Sequence, residues 1–300
     1  MEILERLPEG PQQPCALALG PFDGLHLGHQ AVIKAALREG ESPLEAAVFT
    51  FRRSPSGERL VMLGTDKARL LEEMGVKKMY SMDFSELKSM EAEAFVQEVL
   101  FARLNARRLC CGADFRFGRG KAGDAALLER LCAQAGAELA VLSPVELDGE
   151  KISSTRIRQA VSAGDMPQAS RLLGRPFGFT LEVIHGNHIG GSKLGTPTIN
   201  QALPEELIFP RFGVYAAWCR VEGERFYGVC NVGIKPTVGS DRVLAETWMP
   251  DFSGDLYGKE IQVELVEFLR PERKFDSLEE LKAAIKKNGE QARALTVGRQ

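Results

Sequence analysis

The feature that most limits the fold of this chain is a change of pattern near residue 165. Before it, apolar strand-like runs at 15–19, 46–51, 76–82, 109–112 and 139–142 alternate with helical periodicity at 30–37, 65–74 and 84–104. Such alternation predicts an open, largely parallel sheet that holds ligands at the carboxyl ends of its strands. Between 163 and 176 the sequence carries Gly164, Pro167, Gly174 and Pro176 around a short helix at 168–173. Strand-like runs at 179–184, 213–221, 224–232 and 260–268 then follow one another without helices and predict an antiparallel barrel. One helix at 277–287 closes the chain, with Ser277 as its cap and Glu280 three residues on. The expected organisation is an N-terminal α/β domain at 1–165, a linker at 166–176, and a C-terminal β-barrel domain at 177–300.

A length of 300 residues is comfortable for two such domains. The net charge of -3 gives no electrostatic footprint for nucleic acid, so any phosphate chemistry must come from local groups. No run approaches the roughly 20 apolar residues of a membrane span, and the start has neither a basic nor an apolar leader region. The six cysteines show no C-x-x-C spacing, and Cys110-Cys111 in an apolar strand reads as core packing. A cytoplasmic protein without nucleic-acid or membrane partners is expected.

The chemistry-bearing residues cluster at turns. After the first strand comes Gly20-Pro21-Phe22-Asp23-Gly24-Leu25-His26-Leu27-Gly28-His29, running into a helix. A strand, a glycine-bearing turn and a helix start form an anion site, because free backbone N–H groups and the helix dipole favour negative charge there. Two imidazoles in that turn can contact phosphoryl oxygens as charge develops on them. The plain alternative is a βα turn with two surface histidines. Ser153-Ser154-Thr155-Arg156-Ile157-Arg158 opens a later helix, where hydroxyls cap and guanidinium forks suit phosphate.

These residues carry a resemblance. G-x-F-D-G-x-H-x-G-H resembles the signature of the bacterial bifunctional riboflavin kinase/FMN adenylyltransferases, also called FAD synthetases, within the H-x-G-H nucleotidyltransferases. Gly112-Ala113-Asp114-Phe115-Arg116-Phe117-Gly118 is similar to the family's G-x-D-F-R-F-G, and S-S-T-R-I-R is present. In the second half, Pro197-Thr198-Ile199-Asn200 resembles P-T-A-N, Asn231 to Thr237 resembles N-x-G-x-R-P-T with Lys235 for arginine, and Phe268 to Phe275 resembles F-x-R-x-E-x-K-F. Departures are Arg53-Ser54-Pro55 where Pro-His-Pro is usual, and Trp248 where histidine is usual, two residues after Glu246.

The resemblance implies a Rossmann-like nucleotidyltransferase domain joined to a riboflavin kinase barrel, and two reactions. Riboflavin would be phosphorylated to FMN, and FMN adenylylated to FAD with release of pyrophosphate, both with ATP and Mg2+. It implies catalytic roles for Glu246, as general base, and for His26 and His29. ATP contacts would fall to Gly20, Phe22, Gly28, Ser154, Thr155 and Arg156, and in the second half to Gly186, Gly190 and Gly195. Flavin contacts would fall to Asp114, Phe115, Phe117 and Arg270, with Thr198 and Asn200 on the metal. For Phe115 and Phe117 the residues alone also allow a packing role at the sheet edge, and for Arg270 a charged turn before the final helix. A kinase-only chain with a degenerate first domain, a flavin-binding sensor with dead sites, and a transferase for another small phosphate are the competing readings.

Overall fold

The computed structural model describes residues 1–10, 12–38, 44–185, 198–237 and 240–297. The chain forms two compact units, one of residues 1–60 and 64–153, the other of residues 61–63 and 154–300.

The first unit is built on a six-stranded sheet in which every pairing is parallel. Its strands are β1 (Glu2–Leu4), β2 (Cys15–Leu19), β3 (Glu45–Phe51), β4 (Lys78–Met82), β5 (Ala106–Gly112) and β6 (Glu138–Leu142), in the order β1-β4-β3-β2-β5-β6. Both faces are covered, so β2 and the centre of β3 are unbroken buried runs rather than alternating ones. The chain runs outward from β2 to β3 and β4, then returns to lay β5 on β2's other side. The carboxyl end of β2 is therefore the switch point of the sheet, the place where such folds bind ligands. Helix α1 (Leu27–Leu37) leaves from that end, and α2 (Gly64–Glu73) follows β3.

The helix expected over 84–104 is broken into α3 (Phe84–Leu87), α4 (Ala92–Ala94) and a wider π-helical segment, Phe95–Arg103. The break has a local cause. The Met90 carbonyl accepts the Arg119 N–H at 2.7 Å, and Glu91 is extended. Helix α5 (Ala125–Ala135), not singled out in the sequence, is capped by Asp124, which accepts the Leu127 N–H at 2.9 Å. A short antiparallel pair, β7 (Glu146–Leu147) and β8 (Glu150–Lys151), ends the unit. All six cysteines are free and buried, and burial pushes the Cys15 and Cys110 thiols up to about 12, as core packing requires.

In the second unit, α6 (Ser154–Ala163) is followed by α7 (Met166–Leu173), which occupies most of the stretch read as a linker. It packs on β9 (Phe177–Glu182) and β14 (Glu260–Arg270). With β10 (Thr198–Ala202), β11 (Gly213–Val221), β12 (Glu224–Thr237) and β13 (Ser240–Trp248) these strands form an antiparallel sheet in the order β10-β13-β12-β11-β14-β9. Its two edges meet through a bridge in which the Ile184 N–H donates to the Asn200 carbonyl at 2.8 Å. The final helix runs Leu278–Val297, ten residues beyond the 287 expected, and the Ser277 hydroxyl accepts the Glu280 N–H as a cap should.

Gln201, fully buried, completes the closure by donating from Nε2 to the carbonyls of Leu181 and Ile261 at 2.6 and 2.7 Å. Replacing it by leucine removes both donors from buried carbonyls. Gln201→Leu should therefore destabilise the second unit by about 2 kcal/mol. Chemical denaturation followed by tryptophan fluorescence measures this, since Trp218 and Trp248 both lie in that unit.

Candidate active sites

In the first unit the signature turn is a tight, left-handed piece of chain at the end of β2. Phe22, Gly24 and Leu25 have φ of 47°, 82° and 44°, which is costly for the two non-glycine residues. Several hydrogen bonds hold it. The Thr50 hydroxyl donates to the Pro21 carbonyl at 2.7 Å, Gln30 Nε2 donates to the Leu25 carbonyl at 2.9 Å, and the Gly20 N–H donates to the Phe49 carbonyl at 3.3 Å. Phe22 is buried with its ring folded over Gly20, where a Cβ would lie 3.1 Å from it. The ring of His26 lies over Gly28 in the same way, at 3.2 Å.

His26 caps α1: its Nδ1 accepts the His29 N–H at 3.2 Å, which leaves the hydrogen on Nε2. The two imidazoles stack with centroids 3.6 Å apart. His29 also meets the edge of Phe22, and its Nδ1 is buried without a hydrogen-bond partner among the described residues. Burial first, then the charges of His26, Lys67 and Lys151, hold His29 well below the usual histidine range. It is a neutral ring at pH 7, kept at the start of a helix with donor capacity unspent.

The loop after β5 presents Asp114, Phe115 and Phe117 together. Phe117 is buried in the sheet core and bridged to Gly123, where a Cβ would fall 2.5 Å from the Phe117 ring. Phe115 is half-buried and stacks on it at 5.6 Å, so Phe115 offers the outer ring face and Phe117 backs it. Asp114 pairs with Lys151, whose hydrogen bond holds the carboxyl below its usual range. Ser154, Thr155 and Arg156 form the first turn of α6 in the second unit.

The second unit carries a row of polar side chains across three strands. Asn200 on β10, Glu246 on β13 and Asn231 on β12 are register partners, Glu246 in the middle. Cross-strand partners lie about 4.5–5.5 Å apart at Cβ, so these three share one patch. Asn200 is 5 % exposed, its Nδ2 donates weakly to the Thr198 carbonyl at 3.5 Å, and its Oδ1 is buried with no partner among the described residues. Asn231 gives Nδ2 to Glu272 Oε1 at 3.1 Å, and its Oδ1 is likewise unpartnered among the described residues. Two amide oxygens kept dry and unsatisfied beside a carboxylate are costly unless a cation or hydroxyl fills the gap. The donor set fits a hard divalent cation, with Thr198 adding a hydroxyl oxygen two residues from Asn200.

Glu272 and Trp248 are parts of this site that the sequence did not single out for function. The Glu272 carboxylate lies against Gly233, so that a Cβ there would fall 2.5 Å from Oε2. Gly233→Ala should displace Glu272, release Asn231 and cost about tenfold in the reaction carried by this patch, without changing the chemistry of the first unit. Initial rates on the substrate of each unit check this. Trp248, on the same face as Glu246, packs against the final helix at Gly289, at 3.0 Å from a Cβ there. Arg270 donates to Asn288 Oδ1 of that helix at 3.0 Å and lies over Phe275. Gly186, Gly190 and Gly195, and the Lys235 side chain, lie outside the described residues.

Comparison with known proteins agrees with both halves. The FAD synthetase family model matches residues 9–156 and the riboflavin kinase model residues 173–296. The bifunctional riboflavin kinase/FMN adenylyltransferases of Pseudomonas fluorescens and Bacillus subtilis (strain 168) are each 36% identical, across 94% of this chain and 93% and 92% of theirs. A crystal structure described as a macrolide-efflux protein from Streptococcus pneumoniae superposes with a TM-score of 0.86 at 29% identity, covering 97% of this chain and 98% of that one. No described helix is long and apolar enough to cross a membrane. Two matched models and full-length relatives make this chain a member of the bifunctional riboflavin kinase/FMN adenylyltransferase family, which converts riboflavin to FMN and FMN to FAD with ATP.

Proposed function

We propose that the two reactions are carried by separate residue sets, adenylyl transfer by residues 1–165 and phosphorylation by residues 177–300, joined through 166–176. The observation that supports this division is the placement of the stacked histidines and of the Asn200-Glu246-Asn231 row in different compact units.

In the first reaction an FMN phosphate oxygen attacks the α-phosphorus of ATP, and the bond to pyrophosphate breaks. No side-chain nucleophile is needed, so positioning and charge stabilisation do the work. His26 Nε2–H and neutral His29 donate to the phosphoryl oxygens, with Gly20 and Gly28 allowing close approach and Phe22 shaping the turn. Ser154, Thr155 and Arg156 are assigned to the remaining ATP phosphates on sequence grounds, while Asp114 and Phe115, backed by Phe117, hold the flavin.

In the second reaction Glu246 accepts the proton of the ribityl hydroxyl as that oxygen attacks the γ-phosphorus and ADP leaves. Thr198 and Asn200 would hold Mg2+, which when bound neutralises charge on the phosphates. Gly186, Gly190 and Gly195 are assigned to ATP phosphates, and Arg270 to the flavin side, on sequence grounds. Free buried cysteines and ATP as substrate suit a cytoplasmic setting with small-molecule partners.

The test is product analysis. Purified protein is given riboflavin or FMN with ATP, with Mg2+ or with chelator, and the flavins are separated by chromatography. FAD from both flavins, abolished by chelator, is expected. FMN as the end product from riboflavin, or turnover that survives chelation, would contradict the reading.

A further inference from the structure

A buried ammonium lies directly beneath the signature turn. Lys67, on α2, is 4 % exposed, and its Nζ donates to the Pro21 carbonyl at 3.2 Å, Thr50 Oγ1 at 3.3 Å and the Phe51 carbonyl at 3.4 Å. These acceptors come from two segments: the start of the turn and the end of β3. Asp23, itself buried in the turn, supplies the opposing charge. A lysine is almost never this buried without compensation, and here three protein oxygens and a carboxylate provide it. All three donor positions are spent on the protein, so this side chain is not placed to bind a ligand itself.

What the ammonium does is hold the turn. The Pro21 carbonyl accepts from both Thr50 and Lys67, and the next residue, Phe22, enters the left-handed region. Leu25 is left-handed too, one residue before His26. Strain of this kind persists only where the surroundings over-determine it. The same charge also acts on the chemistry, because it is one of the groups keeping His29 neutral. We infer that Lys67 is a positioning residue for adenylyl transfer, a cross-brace between β3 and the turn that fixes His26 and His29 against the phosphates. This rests on the reading of that turn as the adenylyl site.

The groups that bear on its titration are Asp23 and His29; the β3 residues Thr50 and Phe51 carry no charge. Burial lowers Lys67 to about 8, with Asp23 opposing. The ammonium is charged at pH 7 and loses its proton as pH rises past 8. The unfolded chain still binds that proton up to about 10.5, so stability from this group rises across the same interval. Activity and stability should thus move in opposite directions.

The experiment uses the full-length protein, with riboflavin phosphorylation as an internal control. Lys67→Met is expected to lower kcat for FMN adenylylation by about 100-fold with KM for FMN little changed, and to leave FMN formation at the wild-type rate. Thr50→Val, which keeps the charge, should cost only a few-fold. In the wild type, FAD formation should fall above about pH 8 while the melting temperature of the first unit does not fall, a readout that stands even if Lys67→Met fails to fold. His29→Ala is run in parallel. If it and Lys67→Met both keep FAD formation, the site reading fails. If His29→Ala abolishes FAD formation while Lys67→Met keeps it, or if wild-type activity is flat to about pH 9.5, the inference about Lys67 is overturned.

Discussion

Glu246→Gln is expected to abolish FMN formation while leaving FAD formation from supplied FMN at the wild-type rate. The substitution keeps size and hydrogen-bonding capacity but removes the base. General-base catalysis contributes about 10²–10⁴-fold, and the loss should fall in that range. The loss should appear in kcat rather than in KM for riboflavin, because the proton moves in the transition state. Glu246 sits between two amides whose oxygens are unsatisfied among the described residues, an arrangement that would suit a reacting oxygen and a cation. Steady-state rates with each flavin, from one preparation, check it. Normal riboflavin turnover by the Glu246→Gln variant would remove Glu246 from the mechanism.

The second large effect is the mirror image. His29→Ala should lower FMN adenylylation by about 10²–10³-fold, the range for removing one preorganised donor from a developing charge. FMN formation should be unchanged. The variant should also alter the acid response of the first unit. His29 is held below its unfolded value, so the native state binds fewer protons than the unfolded chain, and stability falls as pH drops through about 6.5 and below. Alanine removes that contribution, and the melting temperature of the first unit should then decline less between about pH 7 and pH 5. Thermal unfolding at a series of pH values measures it.

The alternation of strands and helices made the first unit legible, because a parallel sheet covered on both faces writes its strands as apolar runs. The barrel was legible from β9, β11, β12 and β14, but β10 and β13 were missed. Asn200, Gln201, Glu246 and Thr247 put polar groups where a strand pattern expects apolar ones, so neither run alternates cleanly. The histidines and Glu246 were found through motif resemblance. Lys67 was not, because a lysine in an amphipathic helix reads as a solvated face until the fold lays α2 under the turn. Nor could sequence separate Phe115 from Phe117: only packing shows that Phe117 is buried in the core while the ring stacked on it, Phe115, is half-buried. The pairing of Glu272 with Gly233 and Asn231 joins residues far apart in the chain and needed β12 and the end of β14 in place.

The claim that two independent sites share one chain is tested most directly by mixing variants. Glu246→Gln alone should leave riboflavin unconverted, and His29→Ala alone should stop at FMN. Mixed in one tube with riboflavin, ATP and Mg2+, they should restore FAD, because FMN released by one protein is adenylylated by the other. A mixture that accumulates FMN without FAD, or a single variant that is folded yet lacks both activities, would contradict the division.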